Sequence, residues 1–432
     1  MFISSKTGIF VFVMLIGISL QWNPCFGVLI PDVGESQNCS IKLAKLNSNP
    51  LRPKGSEVQE KYFKLIDEVA EEFNGTNKFN SPVAWRRKTA KSGLPGLDLP
   101  KEVGGENLKP SEMVKIFQYA GRHSLDLRDI SGGGHARSLL MSKEPGHKEI
   151  LEKVVQGKGY MAIAITEPEY GSDIGGMKSS SKKVEGGYEI TGEKKYNARL
   201  KNASHVVIIT QAPNSTPEHS KLNAFCLPID YPGLKFKDLK APGLKGNSFG
   251  GVSFDKLVIP EKFRIGEDGE GHKLFGEHFT YWRVMQTAAA IGTAQKALEQ
   301  TAERLATRIV NGKPIGAMTH LQQPLGKLTF ELNMVFDQLE KAAKLMDGGD
   351  YKSAAVIAAA AKSWGVDKAF DAVDSAISAH AASGYSDNMD LMQRLNDLRG
   401  LRIADGASDV LISDYVRKIY GQEFWDMAFG SR

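Results

Sequence analysis

Cysteine is scarce: Cys25, Cys39 and Cys226 are all there are in 432 residues. Three thiols so far apart give neither a disulfide framework nor a zinc spacing. The nine histidines form no H-x-H or H-x-x-x-H pair, so the sequence offers no metal site. An excess of one charge is lacking too. With 55 basic and 50 acidic residues the net charge is +5. That is too even a balance to point to nucleic acid as the partner. Internal repeats and low-complexity tracts are also missing. What is present is an ordinary globular composition, 41% hydrophobic and 24% charged, which excludes collagen, a long coiled coil and a wholly disordered chain. At roughly 150 residues per domain the length predicts about three domains. A core built from this many residues needs no disulfide staples.

The N-terminus stands apart. Lys6 precedes the apolar run Gly8–Leu20, and Pro24 and the small-x-small step Cys25-Phe26-Gly27 follow it. This is the layout of a secretory signal peptide over residues 1–27, and it predicts a secretory or extracytoplasmic location. The apolar run falls short of the about 20 residues that span a bilayer. A signal anchor holding the chain on a membrane, or a helix buried in the fold, is the alternative. An organelle transit peptide would carry more Arg and Ser. Sequons at Asn38, Asn74, Asn202 and Asn214 permit glycosylation along a secretory route.

Residues 28–57 read as a polar linker broken by Pro31, Pro50 and Pro53. From Val58 a helical period begins, with Phe63, Ile66, Val69 and Phe73 on its apolar face. Further helical stretches predict a helical domain over 58–160. Between them lies the turn-rich LPGLDLPKEVGG. Over 161–272 the pattern changes to short β-branched or aromatic runs bounded by Gly, Asn, Pro or Asp. Such spacing predicts a β-sandwich or barrel. From residue 273 to 432 long Ala- and Leu-rich helices return, predicting a four- or five-helix bundle. The fold class is therefore α+β, in the order helices, β domain, helices. The lysines between Lys235 and Lys245 read as a solvated face.

The clearest local signal is Ile165-Thr166-Glu167-Pro168-Glu169-Tyr170-Gly171-Ser172-Asp173, at the entry to the β region. Its Pro and Gly favour a fixed loop whose hydroxyls and N–H groups could hold a polar ligand edge or a phosphate. A structured turn with a side-chain cap explains the same residues. T-E-P-x-x-G-S-D is also the signature of the acyl-CoA dehydrogenases, and the sequence resembles that family over about residues 58–425. Trp85 with SGLPGLDLPKEVGG, Gly192-Glu193-Lys194-Lys195-Tyr196, Arg308 with Gly312-Lys313 and Gln322, and Leu401-Arg402-Ile403-Ala404-Asp405-Gly406 resemble further family segments in the right order.

The resemblance implies a flavoenzyme. FAD would lie between the β domain and the C-terminal bundle, in a homodimer or homotetramer. The reaction would take the α-proton of an acyl-CoA, or other acyl thioester, on a carboxylate base and pass the β-hydrogen to flavin N5. Asp405 stands at the base position, where most relatives have Glu and a subset reads "ADG". By resemblance Thr166 hydrogen-bonds the flavin ring, and Ser172 lies near FAD or the pantetheine. Tyr196 packs on the isoalloxazine, and Gly406 and Ser408 belong to the base segment at the cofactor. Arg308 and Gln322 reach the FAD of a neighbouring subunit. Arg283, in Tyr281-Trp282-Arg283, lines the substrate pocket.

Two departures stand out. Asn197-Ala198 replaces the usual residues after the aromatic, so an amide stands in for a hydroxyl at flavin N5. Ala381 and Ala382 replace two glycines of the pyrophosphate turn. The usual electron acceptor would be electron-transfer flavoprotein. A secretory location instead predicts O2, hence an oxidase. A non-catalytic binding protein that has lost FAD is the reading from another class.

Overall fold

The computed structural model describes residues 51–75, 82–215 and 221–421, the short strands at 20–23 and 28–31, and positions 423 and 427. The targeting segment expected over 1–27 lies outside the described residues except for 20–23, and so do Cys25 and Cys39. Strands β1 (Leu20–Asn23) and β2 (Val28–Pro31) pair antiparallel. The N-terminal helices are α1 (Glu57–Gly75), α2 (Pro82–Thr89), α3 (Pro110–His123) and α4 (Pro145–Val155). Prolines open α2, α3 and α4, where the missing N–H would be unpaired in any case. Within the region expected to be helical, Gly134–Met141 forms a 3-10 segment rather than an α-helix.

The middle region is a seven-stranded sheet of β3 (Met161–Ala164), β4 (Ser180–Val184), β5 (Gly187–Ala198), β6 (His205–Gln211), β7 (Leu222–Pro228), β8 (Lys235–Leu239) and β9 (Phe249–Pro260). The order is β3-β6-β4-β5-β9-β8, with β7 also on β6. β3 runs parallel to β6, while β5 and β9 form the long antiparallel pair. Val206–Ile209 of β6 are fully buried, so this strand has core on both faces.

A short α5 (Gly271–Leu274) and a π-helical turn, Phe275–Phe279, lead into the bundle. Its long members are α6 (Thr280–Thr307), α7 (Thr319–Asp347) and α8 (Tyr351–His380), with the two-residue strands β10 (Ile309–Val310) and β11 (Lys313–Pro314) between α6 and α7. Then come α9 (Ala382–Tyr385), α10 (Leu391–Ile403) and α11 (Ser408–Tyr420). This is the order of helices, β domain and helices that the sequence predicts.

Helix α6 is the shared element. Its apolar face joins one continuous core with α1, α3, α7, α8 and α10. Two glycines set its distance from α3. A Cβ on Gly121 would lie 2.0 Å from the Ala289 carbonyl oxygen, and one on Gly292 would lie 1.9 Å from that of Gln118. The two backbones touch, and no side chain fits between them.

The β-domain loop 243–248 meets both helical parts. Leu244 N–H donates to Asp397 Oδ1 of α10 at 2.5 Å, and Asn247 Nδ2 donates to Asp129 Oδ2 at 2.7 Å. Asp126 and Asp397 are buried on either side of this loop. Burial and the facing Asp397 charge push the Asp126 carboxyl up to about 8, and burial raises Asp397 as well.

Candidate active site

Asp405 occupies the four-residue break between α10 and α11. It is half-buried, with φ +56°, and Gly406 follows at φ +104°. The left-handed region suits Asp better than most residues. At Gly406 a side chain would meet Leu411 Cδ2 at 2.8 Å. Two helices hold the turn by its carbonyls. From α6, Arg283 Nε donates to Asp405 O at 2.8 Å. From α8, Lys362 Nζ donates to Gly406 O at 2.5 Å and to Arg402 O at 3.4 Å, and Ser363 Oγ donates to Ser408 O at 2.9 Å. Asp367 of α8 accepts from Arg402 Nε at 2.8 Å and from Ser408 Oγ at 2.9 Å. The Ser408 hydroxyl thus serves the turn itself. Burial lowers Arg283 and pushes the Lys362 ammonium down to about 8, while the Asp405 carboxylate pulls both back up.

The T-E-P loop follows β3 and is tied to β5. Lys195 N–H donates to the Thr166 carbonyl at 2.8 Å. Glu167 turns inward and accepts from Lys178 N–H at 2.6 Å, Ser179 N–H at 2.8 Å and Lys194 Nζ at 2.9 Å. Lys194 is fully buried. For its ammonium, burial outweighs the ion pair and the group is pushed down to about 8. For Glu167 the charge of Lys194 and the two backbone donors win, so its carboxyl is held low. With Glu167 committed to the interior, the loop presents half-buried Thr166 and exposed Ser172 at its surface.

Tyr196 sits at the β-bulge where the β5–β9 register shifts, at φ +63°. Its ring is 50% exposed, with Phe249 behind it at 6.0 Å. A large aromatic left open on a built platform is a surface made to be covered. The next residue, Asn197, is buried, and its Nδ2 has no hydrogen-bond partner. An unpaired buried amide is costly unless something absent from the protein satisfies it.

Arg199 ends β5 in a buried polar chain. Nη2 meets Asp129 Oδ1 at 2.6 Å, Nε donates to Tyr160 Oη at 2.9 Å, and Nη1 donates to His135 Nε2 at 2.5 Å. His135 Nε2 must therefore accept, so its Nδ1–H donates to His278 Nε2 at 2.9 Å. Both rings are neutral: burial and the nearby arginines lower His135 well below its usual range and His278 to about 3. The guanidinium lies 5.1 Å from the Trp282 ring, next to Arg283, and it feels the Asp405 charge. The end of β5 and the Asp405 turn thus face each other across α6.

Arg308 and Gln322 do not join this group. Arg308 is exposed at the C-terminal end of α6, and Gln322 Nε2 is bonded to the Gly316 carbonyl. Twenty-five residues of helix, at 1.5 Å each, put Arg308 about 37 Å from Arg283 along the axis.

The chain matches the family description "Acyl-CoA dehydrogenase, middle domain" over residues 162–257 and "Acyl-CoA dehydrogenase, C-terminal domain" over 269–420. It belongs to the acyl-CoA dehydrogenase family. Butyryl-CoA dehydrogenase from Megasphaera elsdenii superposes with TM-score 0.77 at 19% identity, covering 85% of this chain and 99% of the other. A glutaryl-coenzyme A dehydrogenase in its glutaryl-CoA complex gives 0.75 at 20%, covering 85% and 96%. The prolyl acyl carrier protein oxidase AnaB gives 0.76 at 22%, covering 85% and 100%. Both dehydrogenases and oxidases therefore share this fold. Within this acyl-CoA dehydrogenase scaffold, sequence reading passed over Lys362, Arg199, His135 and His278. A lysine inside the alanine run AAAAKSWG was the available signal for the first. Glu167 and Lys194 stood in quoted motifs without a role.

Proposed function

We propose that this protein is an FAD-dependent oxidoreductase that converts an acyl thioester, such as an acyl-CoA, to its trans-2-enoyl thioester. The observation that carries the reading is the Asp405 turn, clamped by α6 and α8 opposite the end of β5. The residues present fit FAD: the Tyr196 ring is open, Asn197 Nδ2 lacks a partner, and Thr166 and Ser172 lie at the loop surface. FAD held there supplies a two-electron acceptor for the β-hydride.

The chain's own work is on the proton. The Asp405 carboxylate takes the α-proton as the Cα–H bond breaks, and the electron pair left behind forms the new double bond. Arg283 and Lys362 fix the turn so that the carboxylate meets the α-carbon at one distance. Asp is one methylene shorter than Glu, so the α-carbon must sit nearer the turn.

A homodimer or homotetramer is part of the reading. Phe330, Met334, Trp364 and Tyr420 are exposed on the bundle. Arg308 and Gln322, remote from Asp405 in their own chain, suit a neighbour's cofactor. For the reduced flavin we propose O2 as acceptor, on the strength of the targeting sequence; electron-transfer flavoprotein is the alternative.

Purified protein is expected to be yellow and to lose its visible flavin absorbance anaerobically on adding a suitable acyl thioester from a panel. Asp405→Asn should abolish that loss; bleaching that persists removes Asp405 from the role of base. Rapid recovery of colour on admitting air supports the oxidase, and slow recovery supports the flavoprotein. Ala198 and the Ala381-Ala382 pair favour a second reading, a binding protein without FAD, and colourless protein that takes up no added FAD would establish it.

A further inference from the structure

Lys362 lies on the alanine-rich inner face of α8 with no exposed surface. A charge is costly there, and an apolar side chain would pack without that cost. The hydrogen bonds of its ammonium go to two backbone carbonyls, Arg402 O and Gly406 O. Arg402 O is one of the last carbonyls of α10, which have no partner in the helix. Gly406 O lies just past Asp405. The two bonds thus bracket Asp405, and the charge sits where the negative end of the α10 dipole points. The charged groups acting on Lys362 are Asp405 in the turn, Arg283 from α6, Asp367 from α8 itself and Arg402 from α10. From this geometry we infer that Lys362 is the positioning residue of the base. It holds the left-handed turn at Asp405 by the two carbonyls that flank it and places a cation beside that carboxylate. The inference rests on the reading of Asp405 as base.

Two measurements separate the two claims. The first is the pH dependence of flavin reduction by the best thioester. Lys362→Met should slow the step about 10- to 100-fold. It should also move the acid limb up by about one unit, since removing a cation favours the protonated carboxyl. Lys362→Arg should return the limb to its place and recover part of the rate. An acid limb unmoved in Lys362→Met overturns the inference, as does Lys362→Arg behaving no better than Lys362→Met. The second needs no turnover. In full-length protein carrying 13C at lysine Cε, Lys362 should titrate near 8 and lower in Asp405→Asn, where the attracting carboxylate is gone. The same titration in both proteins overturns the inference whether or not the enzyme turns over. A wild type that no thioester reduces overturns the base reading alone.

Discussion

Ala381 carries a backbone that its side chain opposes, and relieving it should stabilise the protein. It lies between α8 and α9 at φ +53°, ψ −136°. Glycine reaches that region freely, while a Cβ makes it strained by about 1–3 kcal/mol. Ala381 is exposed, so its methyl contributes little burial in return. Ala381→Gly removes the strain but adds about 0.4–1 kcal/mol of entropy to the unfolded chain. The net expectation is a gain of about 0.5–2 kcal/mol. For the helical core that the bundle shares with the N-terminal helices, this raises Tm by roughly 1–8 °C. The neighbouring alanine is the control. Ala382 opens α9 without a positive φ, so Ala382→Gly should cost about 0.5–1 kcal/mol. Thermal and urea unfolding of the two variants should therefore move in opposite directions. If Ala381→Gly destabilises as much as Ala382→Gly, the strain argument is wrong. Flavin content of the two proteins gives a second reading, because position 381 lies in the turn assigned to the pyrophosphate.

Glu167→Gln should destabilise by about 3–5 kcal/mol at pH 6, since it leaves the buried Lys194 ammonium without its counter-charge. Lys194 already sits near 8 in the fold, below its usual 10.5. The cost of its burial is thus present below about pH 8 and is relieved as pH rises from 8 towards 10.5. Urea midpoints for wild type and variant should converge by pH 9; a constant gap would show that the pair is not the cause. Asp126→Asn should act with the opposite pH sign. A carboxyl raised to about 8 stabilises below about pH 4, and that contribution is lost as pH rises to 8. The variant should therefore gain on wild type by one to a few kcal/mol between pH 4 and 8 and no further above it. Asn197→Ala should weaken FAD binding about tenfold, the worth of one good hydrogen bond. Unchanged affinity by fluorescence titration would show that the amide does not touch the flavin.

Periodicity carried the helices because each buries one stripe. Phe63, Ile66 and Val69 stand at helical spacing and all lie in the core. Short β-branched runs bounded by turn residues marked the strands, but not their order, since β6 must pass beside both β3 and β4. Nothing local in a sequence encodes a crossover. The candidate site was legible where family motifs are contiguous, as at Thr166 and Asp405. It was illegible where the neighbours of those residues come from distant segments. Lys362 reads as one lysine in a helix until the fold puts it 40 residues away, on Arg402 O. Arg199 and His135 look like surface residues until the fold brings them together beside Trp282 of α6. The bulge that turns Tyr196 outward and Asn197 inward breaks the two-residue alternation on which strand reading depends.

The bare contact between α3 and α6 ties the N-terminal helices to the Asp405 turn. With Gly121 against Ala289 and Gly292 against Gln118 there is no layer of side chains to absorb a shift. Arg283, about one and a half to two and a half turns from those contacts on the same helix, inherits its height from α3 and passes it to the Asp405 carbonyl. The C-terminal bundle is therefore not a detachable unit. A change as small as a methyl group on Gly121, far from Asp405 in sequence, is felt as a change in where the Asp405 turn stands.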